Sequence, residues 1–307
     1  MTNKTFVFGH KNPDTDSIAS AISMANLRNQ LGENSECFRL GNVNKETNFA
    51  LNTFKFDAPQ LLEKVDENNT VIMVDTNEFS QTADGIESSH VKMIVDHHRM
   101  KLETTEPIYC IAEPVGCTST ILYKLYKQND IAIDSKMAGI MLSAIISDTL
   151  LFKSPTCTEE DRIIAKKLSD IANIDMSRYG LDLLKAGTDL SDYTPEQVIN
   201  IDSKLFEKDG KKFKIAQINT ADVNDVFKNQ AYFEAAINQE IQNDNLDLYV
   251  FAATDILNAN SKIITMGTKS NIVEKAFGVS LDHNTATLEN VVSRKKQILP
   301  NILSNLD

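Results

Sequence analysis

Three short segments of this 307-residue chain are apolar almost from end to end, and each runs into acidic or imidazole side chains. Thr5–Gly9 (TFVFG) leads to His10, Val71–Asp75 (VIMVD) ends on Asp75, and Val91–Asp96 (VKMIVD) leads to His97 and His98. A strand with one wet face alternates apolar and polar residues, so strands apolar throughout belong in a sheet covered on both faces. Segments of helical spacing lie between and beyond these runs. Asp16–Gln30 sets Ile18, Ile22, Met24 and Leu27 near one stripe, and Thr118–Gln128 and Ser135–Ser147 read as further helices. Glu36–Leu40 and Ile108–Ala112 are weaker strand candidates. The alternation predicts an α/β fold: a parallel, Rossmann-like sheet with helices on both faces.

A second unit follows. Leu190–Pro195 (LSDYTP) is polar, holds a proline and separates two helical patterns. It places a linker at 189–195 between a larger domain, 1–188, and a smaller one, 196–307. In the smaller domain Phe213–Asn219, Leu248–Ala253 and Lys262–Gly267 read as strands and Asn229–Gln242 as a helix, with a turn at Asp209-Gly210 leading into the first strand. A mixed-sheet α/β domain is expected. No internal repeat, low-complexity tract or inserted regulatory module is apparent.

Composition narrows the function. The net charge of −12 argues against a broad nucleic-acid or anionic-membrane surface, which needs clustered Lys and Arg. A small anion held through bound cations remains compatible with it. No apolar run reaches the ~18 residues of a membrane span. The N-terminal MTNKTFVFGH lacks the apolar core of a signal peptide. Cys37, Cys110, Cys117 and Cys157 form no CxxC pair and read as reduced thiols, so a cytoplasmic protein without a zinc-thiolate site is expected.

Open parallel sheets bind ligands beyond the carboxyl ends of their strands. His10, Asp14 and Asp16 in HKNPDTD follow the first strand, Asp75 ends the next, and Asp96, His97 and His98 end another. Asp148, in IISDT, follows a long apolar helical run. Three of the five histidines fall in this set. Carboxylates suit hard cations, and imidazole shifts preference towards Mn2+, Co2+ or Zn2+. Two such ions about 3.5–4 Å apart can share a carboxylate and a water that attacks an electrophile. Basic residues suited to phosphoryl oxygens occur in Ser293–Gln297 (SRKKQ) and at Lys204 in IDSKLF. From the residues alone, Asp75 is equally a ligand or a helix N-cap. Asp96 reads as a buried carboxylate that orients an imidazole or a loop. Asp148 at a helix C-terminus opposes the helix dipole, so a positive neighbour is expected. Gly116 and Thr118 in PVGCTST form either a phosphate-holding helix start or an ordinary turn. Lys296 reads as a solvated side chain, and His90 and His283 match no site.

HKNPDTDS, VDTNE, VDHH, ISDTLLFKSPT and SRKKQ, in this order from residue 6 to about 300, resemble the family II inorganic pyrophosphatases of the DHH phosphoesterase superfamily. The DHH motif alone is shared with single-strand exonucleases and exopolyphosphatases; with SRKKQ and the full-length pattern it is specific. The resemblance implies a DHH domain and a C-terminal DHHA2 domain with the active site in the cleft between them. It implies one metal on His10, Asp14 and Asp75, and another on Asp16, Asp75, His97 and Asp148, with Asp75 bridging. His98, Lys204, Arg294 and Lys295 are then expected to contact pyrophosphate, His98 on the leaving-group side. Also implied are two Mn2+ or Co2+ ions per subunit and Mg2+ arriving with substrate. A metal-bridging hydroxide would attack without a phosphoenzyme, in a homodimer formed through the N-terminal domain. The competing readings are a superfamily phosphoesterase acting on polyphosphate or short oligonucleotides, and a metal-dependent binding protein on the same scaffold. The first calls for stacking aromatics or a long basic strip, yet the chain has no Trp. The second calls for lost ligands, and none is missing.

Overall fold

The computed structural model describes residues 4–104 and 106–305. The chain folds as two compact units, Met1–Gly187 and Thr188–Asp307. The first contains strands β1 (Thr5–Phe8), β2 (Ser35–Arg39), β3 (Gln60–Leu61), β4 (Thr70–Val74), β5 (His90–Asp96) and β6 (Tyr109–Ala112). Its helices are α1 (Thr15–Gln30), α2 (Lys45–Phe54), α3 (Thr118–Gln128), α4 (Ser135–Asp148), α5 (Glu159–Ala172) and α6 (Met176–Gly187). All six strands are parallel, in the order β3-β2-β1-β4-β5-β6. The order reverses between β1 and β4, and the ends of these two strands flank the crevice in which such sheets hold ligands.

Alternate residues of the apolar strands feed two cores. Val7, Ile72, Val74, Met93 and Val95 join a large core with residues from helices α1 to α6. Phe8, Val71, Met73, Val91 and Ile94 point the other way, onto Phe38, Val65, Ala83 and Ile86. The expectation of helices on both faces is corrected here. This second face is covered by irregular segments and by short 3-10 turns at Phe79–Gln81 and Ile86–Ser88. Residues 75–89, between β4 and β5, are instead spent on the Asp75 turn and the two 3-10 turns, and Ala83 and Ile86 of this stretch cover the face in the place of a helix.

In the second unit α7 (Pro195–Val198) precedes β7 (Ser203–Lys208), β8 (Lys211–Thr220), α8 (Val223–Phe227), α9 (Gln230–Asp244) and β9 (Leu248–Asp255). β10 (Asn260–Met266), α10 (Asn271–Phe277), β11 (Thr285–Leu288), a π-helical turn (Arg294–Ile298) and α11 (Leu299–Leu303) complete it. The sheet order is β11-β10-β9-β8-β7, with β8 and β9 parallel and the other pairs antiparallel. Strand β9 is buried at every residue, as expected of a central strand. The edge strands β7 and β11 escape a reading by periodicity, because SKLFEK and TATL are short and partly solvated.

Candidate metal centre

The residues at the rim of the first sheet arrive from four directions. His10 follows β1, Asp14 caps α1 by accepting from Ser17 N, and Asp16 sits in the first turn of that helix. Asp75 follows β4, His97 and His98 follow β5, and Asp148 ends α4. Three sets of donor atoms lie within 4.8 Å of one another: His10, Asp14 and Asp75; Asp16, Asp75, His97 and Asp148; and Asp75, His97 and His98. Asp75 is common to all three.

Asp75 reaches this position through an uncommon backbone. Its φ is +56°, in the left-handed region that costs a residue other than glycine of order 1 kcal/mol or more. Its N–H still donates to Val95 O at 2.9 Å, so the strand ladder holds one end of the turn while the carboxylate swings to the rim. Thr118 Oγ1 donates to Asp75 Oδ1 at 3.2 Å, but the buried Oδ2 accepts no hydrogen bond. Its near neighbour is His10 Nε2 at 3.4 Å, and a buried carboxylate oxygen without a hydrogen bond is rare in a native fold and calls for a ligand.

Asp16 is fully buried and takes over the start of α3. Thr118 N donates to its Oδ2 at 2.7 Å, and Ser119 N and Oγ donate to its Oδ1 at 3.2 and 3.0 Å. The possibility that Gly116 and Thr118 shape a phosphate-holding helix start is therefore corrected. The helix N-terminus does bind an anion, but that anion is the chain's own carboxylate.

All three imidazoles are held by Nδ1. His10 Nδ1 lies 2.8 Å from Lys11 O, His97 Nδ1 lies 3.1 Å from Val115 O, and His98 Nδ1 lies 2.9 Å from Asp96 Oδ1. Carbonyl and carboxylate oxygens only accept, so each Nδ1 carries a hydrogen and each Nε2 is the ring's free position. Asp96 accepts in addition from His97 N, His98 N and Asn77 Nδ2. It orients an imidazole and a loop together, the part expected of it from the sequence.

Burial pushes Asp75 up to about 6, with Asp16 adding to the shift and the nearby His10 and His97 holding it back. Burial and then the charges of Asp16, Asp75 and Asp14 push Asp148 well above the usual carboxylate range. Burial would lower His10 and His97, but contacts with Asp14 and Asp75 raise His10 to about 11, and Asp75 and Asp16 raise His97 to about 9. Four crowded carboxylates thus recruit protons where no other cation is supplied. Their mixed oxygen and imidazole donors, with Asp75 Oδ2 free of hydrogen bonds, fit divalent transition-metal ions.

Residues 4–145 match the DHH family, N-terminal domain, and residues 181–305 match the DHHA2 domain. A protein of Bacillus cereus (strain ZK / E33L) named as a manganese-dependent inorganic pyrophosphatase is 54% identical over 299 residues, covering 97% of each chain. The chain belongs to the manganese-dependent, family II inorganic pyrophosphatases. A Bacillus anthracis (strain CDC 684 / NRRL 3495) relative of the same name is 53% identical, again covering 97% of each chain. A Methanococcus jannaschii crystal structure described as a family II inorganic pyrophosphatase is 40% identical, with a TM-score of 0.62, covering 98% of this chain and 99% of that one.

Within this family II chain the basic residues singled out from the sequence lie in the second unit. Lys204 is exposed on β7, and Lys295 and Lys296 are exposed on the π-helical turn. Arg294 pairs with Asp202 through Nη2 and Oδ1 at 2.9 Å and also donates to Asp202 O. Gln217 of β8 ties the two segments together. Its N–H donates to Asp202 O at 3.0 Å, its Oε1 accepts from Arg294 N at 2.7 Å, and its Nε2 donates to Val292 O at 2.9 Å. Sequence reasoning missed Gln217. It also missed Asn77, which bonds to Asp96, Arg99 O and Lys101 N, and Glu46, which accepts from Thr15 Oγ1 at 2.7 Å and from Ser147 Oγ. Thr15 and Ser147 adjoin three of the rim carboxylates, but a partner distant in sequence leaves no local signal. His283 is exposed beside Asp282 and His90 begins β5, away from the rim.

Proposed function

We propose that this chain hydrolyses inorganic pyrophosphate to two phosphates. The observation that carries the reading is the pair of donor sets that share Asp75, whose buried Oδ2 has no hydrogen-bond partner. His10, Asp14 and Asp75 would hold one Mn2+ or Co2+, and Asp16, Asp75, His97 and Asp148 the other, with Mg2+ entering as the substrate's counter-ion. Bound divalent ions supply Lewis acidity, lowering the pKa of a water and neutralising charge on phosphoryl oxygens.

The chain's own groups supply the rest. The Asp96 hydrogen bond, against the opposing effects of burial and His97, raises His98 above the ordinary imidazole range. With Nδ1–H committed to Asp96, a proton on Nε2 of this half-exposed ring is available to the leaving phosphate. Lys204 and Lys295 would act as point charges on phosphoryl oxygens, and the Arg294 fork would exchange Asp202 for a phosphate edge. In this reading residues 1–188 are the metal-binding catalytic domain and 196–307 the substrate-binding domain. A cytoplasmic homodimer is part of the proposal. Among the described residues no helix is long and apolar enough to cross a membrane.

The test is phosphate release from pyrophosphate after chelation and re-addition of Mn2+, Co2+, Zn2+ or Mg2+. Restoration by Mn2+ or Co2+, with little action on a dinucleotide or polyphosphate, is the expected result. Preferred cleavage of either alternative substrate would keep the metal site and overturn the assigned reaction.

A further inference from the structure

The peptide joining Val115 to Gly116 is gripped at both ends. Its carbonyl oxygen accepts from His97 Nδ1 at 3.1 Å, and its N–H donates to Asp161 Oδ2 at 2.8 Å. The free Nε2 of His97 then faces Asp75 Oδ1 at 3.4 Å and Asp148 Oδ2 at 3.8 Å. Rotation of this one peptide would withdraw the acceptor from Nδ1 and release the ring.

Asp161 lies in the first turn of α5 and is fully buried. Part of its role is local: Thr158 N donates to Oδ2 at 2.7 Å and Asp161 N donates to Thr158 Oγ1 at 3.3 Å, the capping box of α5, and Thr158 Oγ1 adds a bond to Oδ2 at 2.7 Å. Two further contacts do nothing for that helix. Gly116 N donates to Oδ2 from the β6–α3 connection, and Thr120 Oγ1 donates to Oδ1 at 2.6 Å from the first turn of α3. The next residues back on α3, Thr118 and Ser119, are the donors that hold Asp16. One buried carboxylate thus braces the supports of two rim residues.

Gly116 shows what this approach requires. Its φ lies outside the left-handed region, so glycine is not needed there for backbone freedom. A Cβ at 116 would stand 2.7 Å from Asp161 Oδ2 and 2.9 Å from Thr149 Cγ2. Glycine at this place makes room for the carboxylate.

We propose that Asp161 is a positioning residue for the metal centre, fixing the 115–116 peptide and, through it, the orientation and hydrogen placement of His97. A negative charge at the N–H end of a peptide also polarises its carbonyl, strengthening the bond to Nδ1–H and the donor quality of Nε2. The proposal rests on the metal-centre reading above.

The test is Mn2+ binding to metal-free protein, read from the free-ion EPR signal, beside the melting temperature of the same metal-free samples. Asp161→Asn should raise the Mn2+ dissociation constant by roughly 10-fold, the lower end of what loss of a ligand's own hydrogen-bond partner costs, because Asp161 acts on His97 through one peptide. Thr158→Ala removes hydroxyl contacts of the capping box and should lower the melting temperature while changing Mn2+ affinity less than about threefold. Gly116→Ala leaves Asp161 at its helix cap but displaces it from the peptide, so it should reproduce the affinity loss and serves if Asp161→Asn fails to fold. Wild-type Mn2+ affinity in folded Asp161→Asn or Gly116→Ala, or an equal affinity loss in Thr158→Ala, would overturn the proposal. His97→Gln in the same titration separates the two levels. If it binds Mn2+ as wild type does, the metal-centre reading has failed; if it binds weakly while Asp161→Asn does not, only the role of Asp161 has.

Discussion

The acidic rim of the first unit and the basic turn of the second solve opposite problems. Asp16, Asp75 and Asp96 are buried carboxylates, and burying charge is costly unless each oxygen finds a partner. The fold meets this with helix N–H groups, serines, imidazoles and an amide, some local and some from elements far apart in sequence, for every oxygen except Asp75 Oδ2. Lys204, Lys295 and Lys296 stay in solvent, where a charge needs no partner, and only Arg294 is tied down. The acidic side is organised before any ligand arrives. The basic side offers mobile charge on a short scaffold, so damage to the two should read out differently.

The sharpest contrast comes from the shared ligand. Asp75→Ala removes a donor common to all three sets and should abolish stoichiometric Mn2+ binding, with turnover falling on the order of a thousandfold or more. Metal analysis of the purified variant beside its phosphate-release rate checks this. Wild-type activity would end the two-metal assignment. Arg294→Ala should leave metal content unchanged and lower kcat/KM by roughly a hundredfold, the worth of one or two charge-assisted hydrogen bonds. Metal loss in this second variant would break the division of labour between the units.

The two sides also differ in how far they could be read from the chain. The rim residues announce themselves because β1, β4 and β5 are apolar runs that stop at His or Asp. In a parallel sheet, stopping there places a side chain at the ligand-binding edge. What could not be read is how Asp75 turns inward, since a φ of +56° is imposed by surrounding packing and leaves no mark at a single aspartate. Nor could the donors to Asp16 be read, because Thr118 and Ser119 lie about a hundred residues away and are adjacent only once α1 and α3 pack. On the basic side SRKKQ stands out as charge, but Gln217, which anchors it, sits in an interior strand where nothing distinguishes it from any other polar strand residue.

Protons give a second contrast. At neutral pH the metal-free rim holds His10, raised to about 11, and His97, raised to about 9, in their charged forms. A metal binds the neutral imidazole and the ionised carboxylate, so loading should release a proton from each of these rings and one from Asp148, which burial and its acidic neighbours push well above the usual carboxylate range. Affinity should rise about tenfold per pH unit for each proton released. Affinity gains as pH climbs towards the lower of these values and gains less beyond it, as His97 then loses its proton unaided. Titration calorimetry of Mn2+ in buffers of different ionisation enthalpy measures the count directly. A heat independent of buffer would mean that the imidazoles are neutral and Asp148 ionised before metal arrives, and that the rim is preorganised more completely than its charges suggest.

The smallest expected effect tests the scaffold of the basic side. Gln297 Oε1 accepts from Val292 N at 2.9 Å and Ser293 N at 3.1 Å, and Nε2 donates to Asn290 O at 2.7 Å. One side chain thus caps the segment that leads into the π-helical turn carrying Arg294 and Lys295. Gln297→Ala strands two backbone donors, but the segment is largely solvated and water can replace the amide, so the cost should be near 1 kcal/mol. The loosened turn should raise KM a few-fold, with kcat and Mn2+ content close to wild type. Steady-state kinetics at saturating Mn2+ would detect this. A large fall in kcat would instead mean that the turn is held as tightly as the acidic rim, and that the contrast between an organised acidic side and a mobile basic side is too strongly drawn.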